Sequence, residues 1–468
     1  MNILTAIKDK NLFRPFLEDK NGSLKTWQNW SVALRCLYGL KLKERHSKLI
    51  KTCTGRDYKK FSKDGFDTAL FLTGRRSGKS RIAAVAGAFE ACLSGREKLL
   101  AKGELGMVAI IAPTKKQGRI IRNYLRAIFE TDILQQEIVN ETAEGFLLSN
   151  GVLIEILVGD YRSVRGYTLL ACIIDEVCFF GLSDESKVRS DSELIRAIKP
   201  SLATVGGPLI CVSSPYAKKG WAYRQYKRNY GNDIAKTLVW NCPSRTMNST
   251  LPQKVIDEAM LDDLASAKSE YMGEFRDDIA IWLPREVIEK VVKTGRKELL
   301  PRKQIIYSAF CDVSGGRSDS AALAIGHKEN GKTIVDYQHE YKSPHDPYTI
   351  ISTMAESLKR FNLRRVTGDR YSAEFCVRAF QQNGISYENS KLSKSELYLE
   401  LLPVICSQGI ELLDDEKAIN QLSNLERKTR SGGKDQVDHC SGGHDDLANA
   451  IAGVAYFVTK KKKRIGVL

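Results

Sequence analysis

Nowhere does an uninterrupted apolar run approach the ~18 residues that a bilayer-crossing helix needs. The opening stretch from Met1 to Lys10 has neither an apolar core nor a small-residue cleavage site of the kind a secretory leader carries. The expectation is a soluble, cytoplasmic protein without a membrane partner. Among 11 cysteines there is no C-x-x-C pair and no regular spacing; Cys36, Cys53, Cys92, Cys172 and Cys211 are scattered singles. That excludes a disulfide framework and a paired-cysteine zinc ribbon, and reads as reduced intracellular thiols with no structural disulfide. No internal repeat and no long low-complexity tract is present, which argues against solenoids and extended linkers.

What is present is core material and positive charge. The chain has 468 residues, 43% of them hydrophobic, enough for two or three domains. With 72 Lys+Arg against 56 Asp+Glu the formal charge is +16, which favours a polyanionic partner such as nucleic acid. Lys460 to Lys463 and Arg464 form a basic cluster near the C-terminus, read first as a solvated tail.

The apolar pattern gives an expected α/β fold with two different sheets. Short apolar runs (Ala69 to Leu72, Val108 to Ala112, Val152 to Val158, Leu169 to Ile174, Leu209 to Ser213) alternate with helical stretches, as in a mostly parallel sheet covered on both faces. From Ile305 the order changes. Segments at Ile305 to Val313, Ala321 to His327 and Thr333 to Tyr337 precede a helix near Pro347 to Phe361, a strand at Arg365 to Gly368 and further helices, which describes a mixed sheet. The expected domains are 1–242, a linker or bridging subdomain at 243–300 bounded by Pro243 and Pro301, and 301–468 with the basic tail.

Thr73-Gly-Arg-Arg-Ser-Gly-Lys-Ser80 follows an apolar strand and precedes a helix, the context a phosphate-binding loop requires. Backbone N–H groups from Gly74 through Gly78, Ser77 included, point at phosphate oxygens there. Lys79 adds a mobile charge, and the Ser80 hydroxyl is suited to ligate Mg²⁺. Thr73 stands where the usual pattern has its first glycine. Downstream, Ile173-Ile-Asp-Glu176 ends another apolar run in two acids: Asp175 to hold Mg²⁺ and Glu176 to polarise the attacking water. Arg75 and Arg76 are candidates to stabilise charge on a transferring phosphoryl group. Ser213-Ser-Pro215 ends the next strand where a coupling motif belongs, and Trp27-Gln28 resembles an adenine-reading glutamine motif, with Gln28 as the amide.

A second set of acids lies in the C-terminal half. Asp312 and Asp369 end strands, and Asp445 with Asp446 opens a terminal helix in Gly443-His-Asp-Asp-Leu-Ala-Asn-Ala450. Hard divalent cations that activate water and stabilise a leaving oxygen need such clustered oxygen ligands, ~4 Å apart in two-metal sites. Asp445 is preferred over Asp446, and Asp319 is an auxiliary. His439, Cys440 and His444 lack paired zinc-ligand spacing in a glycine-rich polar loop from Ser431 to His444. That loop is expected at the site's edge, with Lys428, Arg430 and Lys434 toward a DNA backbone.

Taken in order, the Gly-Arg-Arg-Ser-Gly-Lys-Ser loop, the Ile-Ile-Asp-Glu strand end, Ser-Ser-Pro and the late Gly-His-Asp-Asp-Leu-Ala-Asn-Ala segment resemble the large terminase subunit of tailed bacteriophages, over about Trp27 to Phe457. The resemblance implies an ASCE-type P-loop ATPase domain followed by a ribonuclease H-like nuclease domain. It implies an ATPase and metal-dependent DNA endonuclease that uses ATP and Mg²⁺, or Mn²⁺ in the nuclease. It also implies double-stranded viral DNA, a procapsid portal and a small terminase subunit as partners, a homo-oligomeric ring, and the host cytoplasm rather than the mature virion as its place. In a ring, Arg119, Arg122 or Arg126 is a candidate to act on a neighbour's nucleotide. The alternative is an ATP-dependent helicase or repair translocase with a non-cleaving C-terminal domain; a basic structural DNA-binding protein is a third reading.

Overall fold

In the computed structural model the described residues are 1–158, 164, 166–180, 191–313, 320–369, 374–429, 435–440 and 443–460. Asp319, Arg430, Lys434 and the basic run 461–464 lie outside them, as does the Lys428 side chain. The chain divides into two compact units, Met1–Asp278 and Ile279–Leu468. Residues 243–278 fold with the first unit and 279–300 with the second.

The first unit is built on an eight-stranded sheet. Its strands are β1 (Thr68–Thr73), β2 (Gly106–Ala112), β3 (Ile138–Glu141), β4 (Gly145–Leu148), β5 (Leu153–Val158), β6 (Thr168–Asp175), β7 (Leu209–Ser213) and β8 (Thr237–Cys242), in the order β3-β4-β5-β2-β6-β7-β1-β8. All pairings from β5 to β8 are parallel, and only the β3–β4–β5 edge is antiparallel. The continuous apolar runs follow from burial on both faces. In β1, Ala69 and Phe71 pack into one core cluster while Leu70 and Leu72 pack into the other. β6, β7 and β1 are parallel neighbours, so their C-terminal ends open side by side on one edge. Ligands in open α/β sheets bind outside that edge.

The second unit has a mixed sheet as expected. β9 (Ile279–Ile281) precedes β10 (Tyr307–Asp312), β11 (Ala321–Glu329), β12 (Lys332–Tyr341), β13 (Arg365–Gly368), β14 (Ser386–Asn389), β15 (Ile410–Glu411), β16 (Leu425–Thr429) and β17 (Asp435–His439). Six strands form one sheet, β14-β13-β10-β11-β12-β15, and β17-β16-β9 form a separate antiparallel one. β10 is antiparallel to β11 and parallel to β13, which places Asp312 and Asp369 at the same end of neighbouring strands. The helix Asp446–Lys460 covers one face through Leu447, Ile451, Val454 and Val458.

The polar loop expected from Ser431 to His444 is corrected in part. Asp435–His439 is a strand paired with Leu425–Thr429, because Val437 alternates inward among hydrophilic neighbours. Among the described residues no helix is long and apolar enough to cross a membrane.

Candidate functional site

Two sites form, one in each unit. In the first, the loop after β1 reaches the helix Lys79–Cys92 through Gly78, whose φ of +90° is a left-handed conformation that favours glycine. A Cβ on Gly78 would come to 2.8 Å from Trp27 Cζ3, and one on Gly74 to 2.7 Å from the Tyr271 carbonyl oxygen. Both glycines let the backbone lie close against its surroundings. Trp30 fixes the loop from below, its indole donating to the Ser77 carbonyl at 2.7 Å while its ring packs 5.6 Å from Phe71. Thr73 and Ser77 share a buried hydroxyl bond of 2.8 Å, a role for threonine at the departing loop position. On the outer side Ser244 Oγ donates to the Arg75 carbonyl at 2.6 Å and Asn248 to that of Arg76 at 2.8 Å.

The catalytic candidates interlock along the sheet edge. Lys79 Nζ lies 3.1 Å from Glu176 Oε1 and donates to Ser214 Oγ at 3.0 Å. Glu176 Oε2 accepts from Ser213 Oγ and from the Ser214 backbone N–H, each at 3.2 Å. Ser80 Oγ is 3.2 Å from Asp175 Oδ2. Burial, then the charge of Glu176, pushes the Asp175 carboxyl up to about 7 against the pull of Lys79. Glu176 has a φ of 51°, a strained conformation for a non-glycine residue that aims its carboxylate back at the loop. Lys79, Ser80, Asp175 and Glu176 line a cavity of about 1180 Å³ that also takes in Arg75, Arg76 and Trp27. The glycine cradle, the buried ammonium and the hydroxyl–carboxylate pair fit a nucleotide with its divalent ion.

Some candidates are placed differently. Gln28 is exposed at the start of the helix Gln28–Leu37 and is not among the cavity's lining residues, whereas Thr26 and Trp27 are. Arg75 is turned to Glu270, its Nη1 2.9 Å from Oε1, and Arg76 is exposed. Arg122 and Arg126 reach Glu141 at 2.8 and 3.5 Å, and Arg119 is exposed on the same helix. Glu270, Ser244 and Trp30 carried no sequence signal, since each acts through a contact with a distant segment.

In the second unit the acids gather around Asp312. Asn449 Nδ2 donates to Asp312 Oδ2 at 2.7 Å. Burial raises the Asp312 carboxyl to about 7; the Asn449 amide opposes this, and the charges of Asp446, Asp369 and Asp445 add to the rise. Asp445 is buried and engaged: Lys394 Nζ lies 3.0 Å from its Oδ2, and the Tyr398 hydroxyl donates to the same oxygen at 2.7 Å. Lys394 also reaches Asp438 Oδ1 at 3.3 Å. Asp446 is the first residue of its helix, and its charge is the largest carboxylate influence on Asp312. Asn449 stands four residues after Asp445, inside the motif that marked the helix start; Lys394 and Tyr398 had no such signal.

Among the described residues no group of three or more His, Cys, Asp or Glu side chains is arranged to hold a metal ion as it stands. The donor chemistry nonetheless fits a hard divalent cation. The donors are carboxylate oxygens, and among the described residues the site's acids outnumber the Lys394 ammonium and the buried Asn449 Oδ1 has no partner.

No family model matches this chain, and no curated protein matches it. Among solved structures it is similar to the large terminase of bacteriophage HK97, at 14% identity over 89% of this chain and 95% of that one, with a TM-score of 0.38. It is similar to the large terminase of a thermophilic bacteriophage in complex with ADP, at 14% identity over 85% and 94% of the two chains, TM-score 0.37. It is also similar to the large terminase nuclease of thermophilic phage G20c with bound magnesium, at 16% identity over 34% of this chain and 92% of that one, TM-score 0.30.

Proposed function

We propose that this chain is a large terminase subunit of a tailed bacteriophage, an ATP-driven motor that moves double-stranded viral DNA into a procapsid and cuts it. The observation that carries the reading is the pairing within one chain of two centres. One is a phosphate loop whose Lys79 interlocks with Glu176 and Ser214 at the end of a parallel sheet; the other is a carboxylate cluster around Asp312 at the end of a mixed sheet. The formal charge of +16 suits a DNA partner. The first unit is then the ATPase and the second the nuclease, with a portal and a small terminase subunit as partners and a ring as the working assembly.

At the first centre Ser80 and Asp175 would hold Mg²⁺, and the backbone from Gly74 to Lys79 the phosphates of ATP. The bound nucleotide supplies the anhydride whose hydrolysis drives movement. Lys79 exchanges Glu176 for a phosphate oxygen, and the freed Glu176 carboxylate orients water and accepts its proton at Oε1. Ser213 and Ser214, bonded to Glu176 and Lys79, transmit that exchange to the end of β7. At the second centre Asp312, Asp369 and Asp445, with Asp446 adjacent, would hold divalent ions, which when bound would supply activation of water and stabilisation of the leaving oxygen. Asn449 orients Asp312 for this through its 2.7 Å bond.

Purified full-length chain is assayed for ATP hydrolysis and for plasmid cleavage with Mg²⁺ or Mn²⁺. Lys79→Ala is expected to lose ATP turnover and keep cleavage, and Asp312→Asn to do the reverse. Cleavage unchanged in Asp312→Asn overturns the nuclease assignment and favours a non-cleaving translocase.

A further inference from the structure

Lys394 is the first residue of the helix Lys394–Cys406, set there by a capping box in which Ser393 and Glu396 bond each other's backbone N–H. A cation at a helix N-terminus opposes the helix dipole. Something must outweigh that penalty, and the neighbours show what does. The ammonium lies 3.1 and 3.0 Å from the two oxygens of Asp445 and 3.3 Å from Asp438, with its side chain only 28% exposed. Tyr398, one turn along the same helix, donates to Asp445 as well, so a single helix face supplies both an ammonium and a hydroxyl to one carboxylate. β17 holds Asp438 in place, because the Val437 N–H donates to Ser395 Oγ at 2.9 Å beside Lys394.

A carboxylate in contact with an ammonium at both oxygens cannot present those oxygens freely to a metal ion. Like-charged carboxylates that share a partly dry site also need a counter-charge to stay together. Resting on the nuclease reading above, we infer that Lys394 is a positioning residue that serves as an internal counter-ion: it holds Asp445 in the metal-free centre and must release it when a divalent ion binds. The ammonium and the metal then compete for Asp445. This explains why, among the described residues, no three acids stand arranged for a metal although Asp446, Asp369 and Asp445 all act on Asp312. A lysine that served only to bind a DNA phosphate would have no need for two carboxylate partners.

The test measures Mn²⁺ binding to the full-length protein by calorimetry, without DNA. Lys394→Met keeps the aliphatic stem and removes the charge; it is expected to bind Mn²⁺ at least tenfold more tightly than the wild type and to gain more thermal stability from it. Equal or weaker Mn²⁺ binding in Lys394→Met overturns the inference. Asp312→Asn is the control for the underlying reading: if it leaves Mn²⁺ binding unchanged, the carboxylate centre is not the metal site at all. Should Lys394→Met fail to fold, reductive methylation of the wild type followed by mass spectrometry reads the same event. Lys394 is expected to label faster in Mn²⁺ than in its absence, and an unchanged labelling rate also overturns the inference.

Discussion

Gly453 lies within the helix Asp446–Lys460 against Phe310 of β10, and a Cβ added there would meet the Cγ, Cδ1 and Cδ2 atoms of that ring, all at 2.5 Å or less. Ordinary contact starts near 3.4 Å, so the helix and the strand must part by about an ångström in Gly453→Ala. Three contributions set the size of the effect. Replacing a mid-helix glycine by alanine stabilises the helix by about 1 kcal/mol, and overpacking a tight core costs about 1–3 kcal/mol. The third follows from place: Phe310 is two residues before Asp312, and Gly453 is one turn after Asn449. Parting these elements stretches the 2.7 Å Asn449–Asp312 bond beyond hydrogen-bond range, and losing a bond to a charged group costs about 1.5–3 kcal/mol. The net expectation is a loss of about 2–4 kcal/mol, or roughly 4–16 °C in the melting transition of the second unit, together with loss of DNA cleavage. ATP hydrolysis should persist at permissive temperature. Scanning calorimetry and plasmid cleavage check both parts. Phe310→Leu, which removes the ring, should restore much of the stability in the double variant. Wild-type stability in Gly453→Ala, or no recovery in the double variant, would refute the steric reasoning.

Other consequences are as definite. Gly78→Ala forces a left-handed alanine, costing about 1–2 kcal/mol, and pushes on Trp27; affinity for a fluorescent ATP analogue should fall at least tenfold, and undiminished binding would show that the loop shape is not needed. Glu176→Gln should lower ATP turnover by about 10²–10⁴-fold while nucleotide affinity holds or improves, because Lys79 loses an ionic partner at 3.1 Å; comparable turnover would remove Glu176 from the chemistry. Glu90 is fully buried beside Arg96, and burial lifts its carboxyl above the ordinary value despite that guanidinium. The folded chain therefore holds this proton more tightly than the unfolded one, so the contribution to stability is complete below the unfolded carboxyl value and is lost as pH rises through the folded one. Urea midpoints followed across that window should decline in the wild type and be flatter in Glu90→Gln; identical slopes would contradict the assignment.

Much of the architecture was legible because local pattern and burial agree. The runs at Ala69 to Leu72, Val108 to Ala112 and Leu209 to Val212 are apolar at every position, and both faces of that sheet are covered, so nothing competes with the strand reading. The hairpin of β3 and β4 escaped notice for the opposite reason: Ile138–Glu141 is an exposed edge strand, and its pairing depends on a neighbour, not on its own composition. β17 escaped likewise, since Asp435–His439 has a single buried apolar residue, Val437. In the candidate sites, residues that end strands or open helices could be named, because chain geometry places them at a sheet edge. Those reached only through tertiary contact could not. Nothing about Ser393-Lys394-Ser395 says that this lysine faces a carboxylate, and nothing about Lys268-Ser-Glu270 says that the glutamate fastens Arg75.

The two centres share a physical solution to one problem. Each assembles carboxylates at the end of a sheet, where water is scarce and mutual repulsion is strong, and in each case a carboxyl is lifted to about 7: Asp175 in the first, Asp312 in the second. Without a counter-charge such a cluster would spread apart or stay protonated. In the first unit Lys79 supplies it, at 3.1 Å from Glu176; in the second Lys394 does, at 3.0 Å from Asp445. Both lysines begin a helix, so each is fixed at its root while its ammonium remains on a flexible stem. A fixed root keeps the charge local, and a flexible tip lets it change partners, which is what a site needs if it must hold together before a ligand arrives and rearrange when one does. An arginine with a planar, bidentate grip would hold a carboxylate as well but let go less readily. Lysine at both positions therefore suits the exchange proposed for each residue.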